Sequence, residues 1–240
     1  MKNLFKTRFV SLFKAMFHIA AMQSIAIIAL VAVIGISMTA CDVDEDWGKP
    51  LYIITGSGTS FSATRNGNAV PDATGRIQAV VTAIKKHAKG AAVTVQLGNG
   101  TDVLNVGEGG NTWSGYGPVF TNLPEGSGTW GALTVTGKVT STASNGTIGV
   151  NNTSATFRVD INNTRNSISS NAFVKQGTGT VTIASGTITQ GSPNTSSMVS
   201  SPIYVSGGEV VISQGVIIDK GNASSEFYAT SNGKVTDNRQ

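Results

Sequence analysis

The sequence predicts an all-β protein that opens with one helix, and three observations carry this prediction. Runs of alternating apolar and polar residues recur from Ala91 onward, separated by Gly, Asn and Ser clusters. Helical periodicity of normal length is confined to the residues before Gly90. Similar segments begin at Val181 and Val210, 29 residues apart. Many short strands fit a sandwich, a barrel or a solenoid, and the internal repeat favours the solenoid. A Ser/Thr-rich β-sandwich stays the alternative.

Residues 1–40 have the parts of a secretory signal peptide in the usual order. Four basic residues come first, an apolar run from Ile19 to Ala40 follows, and small residues end it. The run is 22 residues long, enough to span a bilayer, so an uncleaved anchor and a non-lipidated cleavage site stay open. In every case the basic residues before the run and the acids after it place the chain beyond Cys41 outside the cytoplasm.

Cys41, the single cysteine of the chain, follows the apolar run directly. Met38-Thr39-Ala40-Cys41 resembles the lipobox of bacterial lipoproteins. The resemblance implies cleavage between Ala40 and Cys41, a diacylglyceryl thioether on the Cys41 sulfur, and acylation of the new amino group. The acidic segment "CDVDED" is similar both to an inner-membrane retention signal and to a surface-export tag. We expect a lipid-anchored protein of the outer membrane or cell surface.

Charge argues against a nucleic-acid partner. All 13 acidic residues lie after Cys41, whereas four of the 17 basic residues lie before it, so the mature chain has 13 of each. A protein that neutralises phosphates needs a basic surface, which this balance does not indicate.

Residues 41–74 and 75–90 receive different predictions. Residues 41–74 hold the lipidated cysteine and are rich in Gly, Ser and Asn, which predicts a flexible tether with one strand at Leu51 to Ile54. Residues 75–90 predict a helix, with Thr74 as N-cap and Gly90 as its stop. Its apolar face has helical spacing, and basic residues near its end suit the helix dipole. The apolar face holds Ile77, Val80, Val81, Ile84 and Ala88. The basic residues are Lys85, Lys86 and Lys89.

Residues 91–240 predict stacked β repeats. In the frame V-x-I-x-x-G-x-I, Gly186 matches Gly215 and Ile188 matches Ile217. A similar apolar triplet precedes each repeat. In an alignment of these triplets, Ala172 matches Ile203. Gly191 to Met198 interrupts the pattern as a loop that a solenoid tolerates. The last repeat ends without an evident polar cap, so we expect either a shortened family member or one that relies on a partner.

These repeats, with rungs such as "IYVSGGEVVISQGVI", resemble the right-handed parallel β-helix of the pectin-lyase-like superfamily, above all its adhesin-type surface repeats. The segment "IQAVVTAIKK" followed by "AAVTVQLGNGTDVL" resembles the helical cap and first rung of such domains. The resemblance covers roughly residues 75–240 and implies about six or seven rungs. It implies that Val and Ile stack inside and that glycines take the corners.

The same resemblance raises a lyase-like enzyme as an alternative, so we looked for reaction centres. Only "RVDINNTR", with Arg158, Asp160 and Arg165, loosely offers an arginine base and acidic calcium ligands, and a charged strand edge explains it better. The other acids of the repeats are isolated, and His87 lies on a solvated helix face. One cysteine and one mature histidine do not make a zinc site. We therefore predict no catalytic residues, no metal and no cofactor.

Three aromatic residues in Gly-rich segments are candidates for stacking on sugars: Trp113, Tyr116 and Trp130. Large aromatics also plug the ends of cores, and we weigh that alternative more heavily. The predicted function is a non-enzymatic surface lipoprotein, structural or adhesive. Its partners are the membrane, through the lipid anchor, and a cell-surface protein or glycan.

Overall fold

A computed structural model of the chain describes residues 49–107, 117–123, 128–142, 147–164, 171–191 and 201–240. The predicted signal peptide, Ala40, Cys41, Trp113, Tyr116 and most of the Gly191–Met198 loop lie outside these residues. Within them the chain has one helix and seventeen strands, which confirms the all-β class. The first elements are β1 (Leu51–Ser57), β2 (Ser60–Arg65), β3 (Asn68–Gly75), α1 (Ile77–Ala88), β4 (Val93–Leu97), β5 (Leu104–Asn105), β6 (Val119–Thr121), β7 (Leu133–Ser141) and β8 (Ile148–Asn151).

The remaining strands follow without another helix in the described residues. They are β9 (Ala155–Asn163), β10 (Phe173–Gln176), β11 (Thr180–Ser185), β12 (Thr187–Gln190), β13 (Ile203–Val205), β14 (Gly208–Ile212), β15 (Ile217–Asp219), β16 (Phe227–Ala229) and β17 (Gly233–Asp237).

Strands β1 to β3 correct the prediction of a flexible tether over residues 41–74. From Leu51 onward this segment forms an antiparallel meander, and the predicted strand at Leu51 to Ile54 is part of β1. Asn66 and Gly67 both have positive φ, 50° and 82°, as a two-residue hairpin turn requires. The prediction failed because Gly, Ser, Thr and Asn make up most of residues 56–68, as they do in linkers. The apolar residues of the segment, such as Ile54 and Phe61, nevertheless alternate correctly to bury one face.

Helix α1 confirms the prediction for residues 75–90. Its buried face holds the apolar residues that the spacing predicted, and it packs against β2, β3 and β6. Thr74 is not the N-cap, because it lies in β3. Arg76 takes that position with extended backbone and no capping side-chain hydrogen bond. Lys89, with φ 51°, and Gly90, with φ 77°, end the helix in left-handed conformation.

The strands form two sheets. The first sheet has the order β17-β14-β11-β9-β7-β4-β1-β2-β3, with β5, β12 and β15 paired beside this path. Neighbouring strands from β17 across to β1 in this order are parallel, whereas β2 and β3 are antiparallel. The second has the order β16-β13-β10-β8-β6 and is parallel throughout. From β6 to β17 the chain passes between the sheets repeatedly, and each return adds a strand beside the previous one. Both sheets therefore grow in the same direction along the sequence.

The core lies between the inward faces of the two sheets. Stacked inward positions in the first sheet, such as Val135, Phe157 and Ile183, have no exposed surface. Phe157 joins the sheets, since its ring lies 5.9 Å from that of Phe120 and 5.2 Å from that of Phe173, both in the second sheet. These edge-to-face contacts fix the separation of the two layers.

The predicted match between the segments from Val181 and Val210 is confirmed in the first strand of each segment and is off by one residue in the second. Val181 pairs with Val210, as predicted. Beyond the bend, however, Ile188 pairs with Ile218 and not with Ile217, because the second repeat has one more residue in its bend. A slip of one residue reverses the face, so Ile218 is 8 % exposed and Ile217 is 60 % exposed. The upstream triplets show a similar offset, because Phe173, not Ala172, pairs with Ile203.

Gly186 marks the bend between β11 and β12, in agreement with the prediction that glycines take corners. Its φ is 112°, which other residues rarely adopt. A Cβ atom there would lie 2.0 Å from the Val159 carbonyl oxygen, so a side chain would displace the neighbouring strand.

Candidate binding surface

The outward face of the second sheet carries a continuous row of uncharged residues, one from each strand. The pairing of β6, β8, β10, β13 and β16 sets these residues side by side. We call this set the tyrosine row: Val119, Gly149, Val174, Tyr204 and Tyr228.

Tyr204 and Tyr228 form the widest part of the row. Their ring planes differ by 6° and their centroids lie 5.9 Å apart. Rings stacked directly over one another lie about 3.5–4.0 Å apart. The longer centroid distance here is that of an offset stack, in which one ring is displaced sideways from the other. Part of each ring face is therefore not covered by the other ring. Tyr228 is 42 % exposed, and neither hydroxyl makes a hydrogen bond within the described residues.

A second, polar row runs beside the tyrosine row. Its members lie two residues after those of the tyrosine row, and the three that lie within their strands, Thr121, Asn151 and Gln176, share the outward face. Register places Thr121 beside Asn151 and Asn151 beside Gln176. Ser206 and Thr230 continue the line, because their amides donate to carbonyls of the preceding strands. The polar row thus supplies amide and hydroxyl groups, which both donate and accept hydrogen bonds.

Gly149 creates a small recess between the two rows. The recess has a volume of about 50 Å³. It exists because Gly149 contributes no side chain between Val119 and Val174, and Val174, 4 % exposed, lies at its base. The recess can hold one small substituent or one or two water molecules, but not a ring.

Lys175 lies directly behind this face, with its side chain turned into the core. It occupies an inward position between Val150 and Val205 and has no exposed surface. The ammonium group donates to the carbonyl oxygens of Gln176 at 2.7 Å and Thr178 at 2.6 Å. Burial lowers the pKa of Lys175 to about 8. The lysine therefore ties down the β10–β11 turn and presents no charge to the outward face.

A second concave surface lies between helix α1 and strand β3. This groove has a volume of about 570 Å³ and is open to solvent. Lys86, His87 and Lys89 lie along it from the helix, and Asp72 lies on the β3 side. His87 is not fully solvated as predicted, because its Nδ1 lies 2.9 Å from the hydroxyl of buried Tyr52. The groove is the more basic of the two surfaces.

Trp130, one of the three predicted stacking residues, is a core residue. It is 6 % exposed, and its ring packs 5.8 Å from that of Phe120. This agrees with the more heavily weighted alternative, a plug at the end of the core. Trp113 and Tyr116 lie outside the described residues. Tyr204 and Tyr228 were missed, although the triplets "IYV" and "FYA" repeat a tyrosine at the outward position.

Arg158 and Asp160 do not form the charged sheet edge that the sequence predicted. Both lie in β9, which pairs with β7 on one side and with β11 and β12 on the other. Asp160 accepts a hydrogen bond from the Thr187 amide at 3.0 Å and lies 3.6 Å from the Lys138 ammonium. These contacts hold the Asp160 carboxylate in the sheet. Arg165 lies outside the described residues.

The acids near the last strands are also paired, which corrects the prediction that they are isolated. Arg239 forms ion pairs with both Glu226 and Asp237. Its hydrogen bond holds the pKa of Asp237 below the usual value. Glu209 pairs with Lys234 at 2.8 Å and accepts from the Thr236 hydroxyl, and these contacts lower the pKa of Glu209.

Within the described ranges, no group of three or more His, Cys, Asp or Glu side chains is arranged to hold a metal ion. In the same part of the chain, no helix has the length and apolar character needed to cross a membrane. Comparisons of the chain with protein-family models, curated proteins and solved structures found no match.

Proposed function

We propose that the chain is an exported, lipid-anchored protein whose folded part is a right-handed parallel β-helix with an adhesive, non-enzymatic role. The β-helix is supported by the alternation of the chain between two parallel sheets that grow in step. Right-handed crossovers are the strong preference for parallel strands. The helix α1 and strands β1 to β3 then form the cap at the first turn.

Export and anchoring are supported by the leader and the lipobox. Cleavage before Cys41 and acylation of its sulfur leave the chain held at the outer membrane or cell surface by its N-terminus. A single acyl chain gives only marginal attachment, so the full set of acyl chains implied by the lipobox is needed for stable anchoring.

The adhesive role is carried by one observation, the paired tyrosines in a row of uncharged residues. Exposed apolar surface commonly marks a binding site, and Tyr228 is 42 % exposed. The non-enzymatic role is supported by the contacts of the ionisable groups, since Asp160, Glu209, Glu226 and Asp237 each bind a neighbouring cation. For Glu209 and Asp237 the contacts also lower the pKa of the carboxyl group, which makes these two poor general acids.

Two measurements test this proposal. Mass spectrometry of the mature N-terminal peptide is expected to find Cys41 at the N-terminus with acyl chains on its sulfur and amino group. Protease treatment of intact cells is expected to degrade the protein. An unmodified Cys41 thiol in the mature protein would contradict the anchor, and full protease resistance on intact cells with cleavage after lysis would contradict surface display.

The non-enzymatic role is tested by a screen for turnover of neutral and acidic polysaccharides. We expect no depolymerisation by the purified full chain. Turnover that is abolished by both Arg158→Ala and Asp160→Ala would replace the adhesive role with the lyase-like one.

A further inference from the structure

We propose that the outward face of the second sheet binds an uncharged glycan chain that lies across its strands, along the tyrosine row. The inference rests on the adhesive function proposed above and adds the site, the ligand class and the direction of the ligand.

The direction follows from the geometry of the row. The row crosses five parallel strands, and neighbouring strands lie about 4.8 Å apart, so it extends for about 19 Å. It is unbroken along this length because each strand contributes one residue at the same register. A linear polymer laid across the strands can contact both Tyr204 and Tyr228, whereas one laid along a strand contacts only one of the two tyrosines.

The chemistry of the two rows suits a sugar. A sugar ring has an apolar C–H face and a rim of hydroxyl groups. The partly uncovered faces of Tyr204 and Tyr228 offer apolar contact, and their hydroxyls have no partner within the described residues. The amides of Asn151 and Gln176 lie alongside, where they can donate to and accept from sugar hydroxyls. The recess at Gly149 can hold one small ring substituent.

The absence of charge in both rows selects a neutral ligand. All ten residues of the tyrosine row and the polar row are uncharged. The nearest cation in sequence, Lys175, is turned inward and bound to backbone carbonyls. A carboxylate or sulfate placed on either row would lose hydration without gaining a cation, since Arg239, near the start of β16, is already paired with Glu226 and Asp237. An acidic polymer would instead meet Lys86 and Lys89 at the groove beside α1.

The experiment measures binding of the full mature chain in detergent to soluble polysaccharides by isothermal titration calorimetry. The neutral probes are mannan, laminarin and arabinoxylan, and the acidic probes are polygalacturonate and hyaluronan. Tyr204→Ala and Tyr228→Ala remove the ring faces, and Tyr228→Phe keeps the ring. Ile217→Ala is the matched control, because Ile217 is also a large exposed apolar residue but lies in the first sheet. Melting temperatures verify that each variant is folded.

The expected result is binding to at least one neutral probe that weakens about tenfold or more in each Tyr→Ala variant. Ile217→Ala and Tyr228→Phe are expected to bind nearly as the natural chain does. Neutral binding that both Tyr→Ala variants leave unchanged, or that Ile217→Ala weakens equally, would overturn the site. Binding to acidic probes alone, lost in Lys86→Ala and Lys89→Ala, would overturn the ligand class and the site but leave the adhesive function standing. Failure of every glycan to bind would overturn this inference, whereas the anchor is judged separately by the Cys41 peptide.

Discussion

The strand edges at the two ends of the stacked sheets are covered in different ways. At the end beside α1, strands β1 to β3 continue the first sheet as an antiparallel meander. The helix covers the edge of the second sheet. The Gln78 side chain accepts from the Val119 amide at 3.0 Å and donates to the Val119 carbonyl at 3.1 Å, as a neighbouring strand would. Lys85 donates to the Thr121 carbonyl at 2.7 Å. Backbone groups at this edge are therefore satisfied by side chains.

At the opposite end, β16 and β17 have no strand beyond them within the described residues. Phe227 and Val235 are only partly buried against the core. The side chains here are charged, and Arg239 links Glu226, which precedes β16, to Asp237 at the end of β17. Charges on an edge strand discourage pairing with other chains but add little stability in water.

This difference separates the most stable part of the stack from the proposed binding surface. The end beside α1 has buried hydrogen bonds and aromatic packing, so we expect it to unfold last. The far end has fewer buried contacts and carries Tyr228, the most exposed ring of the tyrosine row. We therefore expect the ligand to bind mainly at the less stable end.

The largest expected effect comes from removing matched aromatic residues at the two ends. Phe120→Ala should lower the free energy of unfolding by about 3–5 kcal/mol, because Phe120 has no exposed surface and contacts the rings of Trp130 and Phe157. Phe227→Ala should cost about 1–2 kcal/mol, since its side chain is already partly exposed. Urea unfolding measures both, and equal losses would contradict the difference between the ends.

Lys175, midway between the ends, should give the next largest effect, visible as a dependence on pH. The unfolded chain keeps the lysine protonated up to its usual pKa of 10.5, whereas the folded chain releases the proton at about 8. Between these pH values the unfolded chain binds more protons, so the free energy of unfolding rises with pH. The rise should reach at most about 3 kcal/mol relative to Lys175→Met. A constant difference between the two proteins from pH 7 to pH 10.5 would show that the lysine titrates normally when folded.

Gln78→Ala should have a smaller effect, confined to the end beside α1. Loss of the amide leaves the Val119 N–H and carbonyl without their partner, at a cost of about 1–3 kcal/mol. Hydrogen exchange of the Val119 amide should accelerate, and β17 amides should not change. Lys86→Ala, on the exposed face of the same helix, is the control. If Val119 exchanged at the same rate in Gln78→Ala and the control, the capping role of Gln78 would be wrong.

Arg239→Ala should have the smallest effect, about 1 kcal/mol or less, because its ion pairs are partly exposed. The loss should shrink as salt is added, since exposed charges are screened. Thermal unfolding at low and high salt measures this. A loss above about 3 kcal/mol that persists in high salt would mean that the far end is as well stabilised as the end beside α1.

Much of the fold could be predicted because its periodicities are local. The helical spacing of Ile77, Val80 and Val81 predicted α1, and the match of Val181 to Val210 predicted the register of β11 and β14. Residues 51–74 were misread because polar strands with a few correctly placed apolar residues have the composition of a linker. The Ile188 match was off by one because the number of residues in a bend follows from backbone geometry, which a shared glycine does not fix.

The candidate surface was harder to predict than the fold. Trp130 drew attention as a large aromatic in a Gly-rich segment, but burial against Phe120 depends on contacts between distant strands. Tyr204 and Tyr228 lie 24 residues apart, and only the register of β13 and β16 shows that their rings are neighbours. The repeated tyrosine is visible in the sequence. That both side chains point outward could be known only from the pairing of the strands.

Hydrogen exchange of the full mature chain, measured with and without a saturating neutral polysaccharide, shows which strands the ligand protects. We expect added protection at β13 and β16, little change at β4 and β7, and none at α1 and β3. Protection centred on α1 and β3, or a bound polysaccharide that leaves β13 and β16 unchanged, would contradict the assignment of the tyrosine row as the binding surface.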